Sequence, residues 1–559
     1  VRRFANNVNR RMKQILYRIK SLFLLVAIAG GISACADDKG NYNYHDIPEV
    51  KIEGIGNSIT ALAYQNLSIP VQLDGLQADE NRYEYEWLAI RQFEAEDAND
   101  TASEVLATTK EFNDIISLRP GPYKLIYTVK DKQLDVFYQQ QANLSVVTTT
   151  SEGWVLLCSE NGNVRLDMIS TVLGEEVHSK DMLADSDMPF KKGPLALIAL
   201  SPESTEDMSA VQQVDPTSPF YLVTEEGTTR LHKDAFEWKE EYLMKYEMGD
   251  MSDAKPTHIT SASYFRMMVT PDGTHGSNFG SGTDALWESR LNYLRNDDNT
   301  KEYIQVAPYV GCNITNPMQY APVFMFYDLN HKQFVYHPGG MYGGLTGDLT
   351  VGCLNMSDDE AGGDAFFPVG YNYVYMENSG RKYSESAMMP GFGFFNNITF
   401  TILENNGIYH LYGIALDDYY MALMGMPPYT KTHYANLSNC TDITQAKHFA
   451  FSPLNDQMFY AVDGKVYRVN LDTSTPSAQF QFDVPGEITC LKFYLYRNAE
   501  NARRSYDLIV GSDKGGTDGG ELRVYEAIDN LAQITDYKEY HSGFGRIVDI
   551  IYKEPITQE

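Results

Sequence analysis

Tyrosine is the residue type through which this chain is best equipped to meet a ligand. Among 559 residues there are 39 Tyr and 26 Phe against 4 Trp, and two segments concentrate them. Tyr371, Tyr373 and Tyr375 alternate, which on an extended strand puts all three on one face. Tyr419, Tyr420, Met421, Met424, Met426 and Tyr429 crowd a Pro-containing stretch that reads as a loop between strands. A phenol ring offers stacking area at small entropic cost, and its hydroxyl adds a hydrogen bond. A sugar face or an extended peptide could use such a surface, which makes Tyr371, Tyr373, Tyr419, Tyr420 and Tyr429 the candidate ligand contacts. The competing reading is that the alternating trio fills the gap between adjacent sheets.

Signatures of catalysis are missing. The chain has no G-x-S-x-G elbow, no H-E-x-x-H pair and no P-loop ending in Lys-Ser/Thr. Gly339 to Gly344 is glycine-rich but lacks that lysine and reads as a surface loop. His331 and His337 flank a hairpin and read as turn or surface residues. The loop from Asp513 to Glu521 carries three carboxylates, and calcium takes about six to eight oxygen ligands. Lys514 in its middle favours a plain hairpin loop. Carboxylate pairs such as Asp358-Asp359 and Asp417-Asp418 are numerous, but glycosidase chemistry needs two carboxyls at a set spatial separation that sequence does not fix. No catalytic residue, metal site or cofactor is assigned.

One thiol has a distinctive setting. Seven basic residues between Arg2 and Lys20, with no acidic one, precede an apolar run from Leu22 to Ile28, then Ile32-Ser33-Ala34-Cys35. This is the order of a secretory signal, with an apolar run shorter than the about 20 residues a bilayer span needs. Ile-Ser-Ala-Cys resembles the lipobox of bacterial lipoproteins, which implies cleavage before Cys35 and a diacylglyceryl group on its sulfur. Ala36-Asp37-Asp38-Lys39 resembles the acidic export signal of Bacteroidetes lipoproteins, which implies the outer face of the outer membrane. Several acyl chains give stable anchoring where a single chain is marginal.

The formal net charge is −30, and about −37 once the seven basic residues of the leader are removed. So acidic a body argues against nucleic acid and against docking on anionic lipid, and it serves solubility. The other cysteines, Cys158, Cys312, Cys353, Cys440 and Cys490, are odd in number and widely spaced; buried free thiols are expected.

The pattern beyond the leader is all-β. Tyr83 to Leu88 alternates aromatic and polar residues, and Gly121-Pro122-Tyr123 opens another alternating run. Several short strands in about 100 residues predict an immunoglobulin-like sandwich with Trp87 in its core. From Trp154 onward, hairpins recur. Asn161-Gly162 joins two alternating runs, and similar pairs occupy Val323 to Tyr336, Met458 to Val469 and Tyr506 to Tyr525. His448 to Pro453 and Ile488 to Phe493 read as inner strands preceding such hairpins. This spacing predicts a β-propeller of six to eight blades, about seven. Arg546 to Tyr552 resembles an inner strand without a hairpin, and the hairpin at Trp154 lacks an inner strand; together they would complete one blade and close the ring. A two-sheet sandwich array is the alternative. The expected division is a leader over 1–34, a lipidated tether over 35–47, the sandwich over 48–150 and the propeller-like region over 151–559.

The segment Asp37 to Tyr44, the Tyr85-Glu86-Trp87 strand and Gly121-Pro122-Tyr123 resemble the PKD-like lipoproteins of Bacteroidetes, which place a PKD-type sandwich after the lipidated cysteine. The resemblance implies a propeller-like C-terminal region and company with a Sus-type importer, an outer-membrane barrel with its lid lipoprotein. The expected function is non-enzymatic capture of an oligosaccharide or peptide for such an importer. Two alternatives stay open: a propeller hydrolase or lyase acting on extracellular glycan or peptide, and a structural or adhesive surface module. Carboxylates or histidines converging on a central pocket would favour the first of these; a pocket of Tyr, Asn and backbone would favour binding.

Overall fold

The computed structural model describes residues 49–554 except 78, 93–101, 173, 200–219, 233–235, 249–253, 263–264, 279–286, 288–289, 314–321, 339–351, 359–364, 384–395, 418–426, 497–500 and 529–531. The leader, Cys35 and the tether lie outside the described residues, as do the 339–344 loop and Tyr419 and Tyr420.

Among the described residues, nine strands precede residue 148: β1 (Lys51–Glu53), β2 (Ser58–Leu62), β3 (Asn66–Ile69), β4 (Gln72–Asp74), β5 (Tyr83–Arg91), β6 (Ser103–Ala107), β7 (Phe112–Ile115), β8 (Gly121–Asp131) and β9 (Val136–Val147). A five-stranded sheet of order β2-β9-β8-β5-β6 faces the pairs β3-β7 and β1-β4. The alternation read from Tyr83 to Leu88 is why β5 has one buried side: Tyr83, Trp87 and Ala89 point inward. Trp87 is fully buried, 4.3 Å from the Tyr127 ring and edge-on to Phe112 at 5.5 Å. Its indole N–H donates to the Thr109 carbonyl at 3.0 Å, so burial strands no polar atom. The Tyr123 hydroxyl donates to the Arg119 carbonyl four residues upstream at 3.0 Å, the corner contact that pins a strand entry in such sandwiches.

The remaining strands form sheets that follow one another along the chain. The first contains β10 (Gly153–Glu160), β11 (Asn163–Val172) and β12 (Glu175–Ser179). Next come β13 (Pro194–Ala199), β14 (Phe220–Thr224) and β15 (Thr228–Leu231), then β16 (His258–Ala262), β17 (Phe265–Thr270) and β18 (Gly273–Asn278). A short hairpin, β19 (Tyr293–Arg295) with β20 (Lys301–Tyr303), follows. The fourth sheet is β21 (Gly311–Cys312), β22 (Phe324–Asp328), β23 (Gln333–His337) and β24 (Leu354–Asn355). The fifth is β25 (Asn372–Tyr383), β26 (Asn396–Asn405), β27 (Ile408–Leu416) and β28 (Tyr429–Asn436). The sixth is β29 (His448–Phe451), β30 (Gln457–Val462), β31 (Lys465–Asn470) and β32 (Ala478–Asp483). The seventh is β33 (Glu487–Lys492), β34 (Asp507–Asp513), β35 (Gly520–Glu526) and β36 (Glu539–Phe544), and the last strand is β37 (Arg546–Lys553).

That last strand closes the ring. It pairs antiparallel with β10, giving the order β12-β11-β10-β37, with Tyr552 opposite Trp154. The two rings meet edge-on at 4.9 Å, and the Arg504 guanidinium sits 4.5 Å over Tyr552. Each sheet shares an apolar seam with the next. Leu157 and Leu166 pack with Leu197 and Leu222, Tyr221 with Met268 and Trp287, and Met267 with Phe324. Tyr327 packs with Leu403 and Tyr412, Ile402 with Phe451, and Phe459 with Leu491 and Leu508. The circle ends where Ile509 and Leu522 pack with Trp154 and Ile550, joining the seventh sheet to the first. This is a propeller, its first sheet completed by the last described strand.

The hairpins stand where the turn residues placed them. Asn161 (φ 54°) and Gly162 (φ 82°) take the left-handed conformation of a two-residue turn between Glu160 and Asn163. The five other cysteines are free and buried. Two expectations need correcting. His337 is fully buried, because it ends β23 opposite Phe324 rather than in the turn. And Tyr371, Tyr373 and Tyr375 do not share a face. A register shift between Tyr373 and Tyr375 inserts one residue into β25, and a bulge reverses the alternation beyond it. Tyr371 and Tyr373 pack toward the fourth sheet, Tyr375 toward the sixth.

Candidate functional site

Among the described residues, seven strands line the ring axis: β37, β13, β16, β21, β25, β29 and β33, each at one end of its sheet's order. Inner strands of this kind are apolar where they enter the seams, so a charged residue within one must face the axis or be paired. Two such residues meet here. The Lys492 ammonium lies 2.7 Å from Asp549 Oδ1, and Asp549 also accepts from the Leu197 amide at 3.0 Å and the Ile550 amide at 2.8 Å. The pair stays partly accessible, at 27% and 20% of the two side-chain surfaces.

Around the same level stands Glu377 of β25, which accepts from the Phe451 amide. Glu377 Oε2 is 3.2 Å from the Tyr375 hydroxyl, and that hydroxyl is 3.1 Å from the Phe449 carbonyl. Beside Glu377, the Tyr309 hydroxyl accepts from the Asn378 amide at 2.9 Å. His258, the first residue of β16, stacks on the Tyr309 ring at 3.8 Å. Strands from all parts of the ring thus contribute to one polar layer.

Its electrostatics follow from burial. Burial pushes the Glu377 carboxyl up to about 8, against the opposing pull of its hydrogen bonds and of Lys492. Burial likewise holds His258 down to about 3, so its ring is neutral. Burial also opposes the charge on Lys492, but Asp549 outweighs it and the ammonium is held above its ordinary value. The Tyr309 and Tyr375 hydroxyls are raised, first by burial and then by Glu377. At neutral pH the layer therefore holds one ion pair, one neutral carboxyl, one neutral imidazole and two phenols. The nearby Cys490 thiol is pushed up to about 12 by burial and is a poor nucleophile.

The candidate tyrosines are placed elsewhere. Tyr429 is buried in the seam between the fourth and fifth sheets, 5.6 Å from Tyr336, and its hydroxyl accepts from the Ser357 amide at 3.2 Å. Tyr371 and Tyr373 join the same seam; Tyr371 lies 5.4 Å from His410 and Tyr373 lies 6.1 Å from Tyr327. The structure brings these three together as packing between sheets. The carboxylates of the 513–521 loop are each engaged by cations: Asp513 by Arg546, Asp518 by Arg165, and Glu521 by Lys514 and Arg523. Sequence reading missed Glu377, Lys492, Asp549, Tyr309 and His258. A usable signal was present for two of them, each a lone charge inside an apolar inner strand: Lys492 after Cys490-Leu491, and Asp549 between Val548 and Ile550.

A polar cleft of about 510 Å³ opens between the first two sheets, beside Asn161, Asn163, Lys192, Glu225, Arg546 and Val548. Its Arg546 is tied to Glu487 at 2.9 Å and Asp513 at 3.2 Å.

A model of the PKD-like family matches residues 35–187, a span that covers the sandwich and runs on through β12. No curated protein matches the chain. Among solved structures it is similar to a quinonprotein alcohol dehydrogenase-like protein from Bacteroides thetaiotaomicron, at 12% identity and TM-score 0.36, over 91% of this chain and 100% of that one. It is also similar to the WD40 domain of SCAP from fission yeast, at 9% identity and TM-score 0.30, over 63% and 74% of the two chains. A third likeness is to the N-terminal domain of Nup159, at 8% identity and TM-score 0.31, over 70% and 83%. At such scores the ring architecture rests on its own strand pairings and seams. What the comparisons add is that the N-terminal part of the chain carries a PKD-like module.

Proposed function

We propose that the chain is a lipid-anchored protein of the outer face of the outer membrane. In this reading the sandwich holds the ring away from the lipid, and the ring captures a nutrient at its axis for a Sus-type importer. Placement outside the cell is supported by the charged, apolar, small-residue order ahead of Cys35 and by a PKD-like match that begins at that cysteine. The observation that carries capture over turnover is the axial layer. Asp549 is occupied by an ammonium and two amides, so it is not a base waiting beside a nucleophile. The test is purification of the full-length lipoprotein in mild detergent, with mass spectrometry of what accompanies it. The expected result is a barrel and its lid at near-equal amounts; recovery alone would remove the importer from the account.

One observation favours a second reading. A carboxyl held near neutrality can donate a proton to a leaving group, and Glu377 is raised to about 8. A hydrolase or lyase acting at this layer predicts turnover that Glu377→Gln abolishes, whereas capture predicts no turnover by either form.

A further inference from the structure

The cleft between the first two sheets has walls tied together through the backbone. The Val164 amide donates to the Lys191 carbonyl and the Gly193 amide to the Gly162 carbonyl, both at 2.8 Å, and the Glu225 amide donates to the Gly193 carbonyl at 2.7 Å. Three stretches of chain are locked in one arrangement, so a ligand meets a surface that costs little to order. The polar side chains around it are unspent. Ser159, Asn161, Asn163, Lys192 and Glu225 line the cleft, and among the described residues none of the five side chains has a hydrogen bond or ion pair. The carboxylates of the 513–521 loop, in contrast, are each held by a cation. The Glu225 side chain lies over Gly193, where a Cβ would stand 2.4 Å from its Cγ. Lys192 is the next residue along, yet the ammonium and the carboxylate do not pair. β10 leaves the sandwich at Gly153 and reaches the cleft at Ser159, about 20 Å from the joint. The lining includes Val548, which immediately precedes Asp549 on β37, so the cleft adjoins the axial pair.

We propose that this cleft takes a short peptide with free ends, its ammonium against Glu225, its carboxylate against Lys192 and its amide groups against Asn161 and Asn163. This rests on the capture reading and chooses between the two ligand classes left open there. A side-chain carboxamide offers one acceptor and a pair of donors, the complement of a peptide group. Two unpaired charges of opposite sign match a dipolar ligand and have no counterpart on a neutral sugar. The lining also lacks an aromatic ring, the surface on which a sugar face would stack. A peptide whose end charges cancel is not repelled as a whole by a chain of net charge −30. Arg546 forms a wall and is no contact for the carboxylate, because Glu487 and Asp513 already hold it.

The test is calorimetric titration of the full chain in detergent with free-ended oligoalanines from the dipeptide to the pentapeptide, the same peptides blocked at both ends, and a neutral gluco-oligosaccharide. The expected result is that a free-ended peptide binds at least about tenfold more tightly than its blocked form, the difference made by one hydrogen bond to a charged group. Lys192→Met and Glu225→Gln should each weaken that binding about tenfold. Their thermal midpoints should match that of the natural chain, because both side chains are exposed and unpaired. Binding of the oligosaccharide but of no peptide, equal affinity for free and blocked peptides, or no binding of any probe would overturn the proposal. A free-ended peptide bound equally well by both variants would overturn the cleft as its site and leave capture standing; the co-purification tests capture separately.

Discussion

In the sandwich, the apolar residues gather in one cluster around Trp87, and the deeply buried charge is Arg82 with Asp131, 2.6 Å apart at the end of β8. In the ring, the apolar residues are divided among seven seams, and buried charge recurs: Arg165 with Asp167, Arg230 with Glu247, Arg523 with Glu521, and Lys492 with Asp549 on the axis. The first three of these pairs have well under a fifth of their side-chain surface exposed; the axial pair keeps more. Burial costs a charge most of its hydration, so a pair left partly open on the axis is the one whose position calls for a ligand. The comparison also separates local from distant dependence. The sandwich is built from neighbouring stretches of chain, whereas the ring requires strands about 400 positions apart, β10 and β37, to pair.

The largest break in this comparison is removal of residues from Arg546 onward. Ile547, Ile550, Ile551 and Tyr552 are buried, and four such side chains are worth roughly 6–12 kcal/mol, comparable to the whole stability of a domain. Calorimetry should show the ring transition lost and that of the sandwich kept. Trp87→Ala is the converse. It should cost about 3–5 kcal/mol, confined to the sandwich and read as one displaced urea transition. Glu377→Gln sharpens the axial side. The folded pKa of about 8 exceeds the unfolded one, about 4.3, so the folded chain binds the extra proton between them. The stability contributed by that proton is full below the unfolded value and is lost as pH rises to about 8. Urea midpoints across that range should slope downward for the natural chain and lose that component of the slope in the variant. The smallest effect is that of Tyr429→Phe. Losing the acceptor for the Ser357 amide should cost about 1 kcal/mol, with ligand binding unchanged; weakened binding would return Tyr429 to the site.

Much of the fold was legible because its signals are local. Asn161-Gly162 fixed a turn, the alternation around Trp87 fixed a buried face, and a solitary inner strand after Arg546 matched a hairpin at Trp154 that lacked one. The axial layer was not legible, because it is assembled from registers that no short window contains. The bulge after Tyr373 moves Tyr375 to the other face and sets Glu377 beside it. Tyr309 lies just before β21, where no alternation marks it, and the Leu197 amide reaches Asp549 across 352 positions. Tyrosine abundance pointed to ligand contact, yet three of the named tyrosines are spent on one seam between sheets.

The most direct test is a crystal structure of the chain with a captured oligosaccharide or peptide. The account predicts ligand density on the ring axis, beside the Lys492–Asp549 pair. Ligand bound elsewhere on the chain, with the axis unaltered, would contradict it.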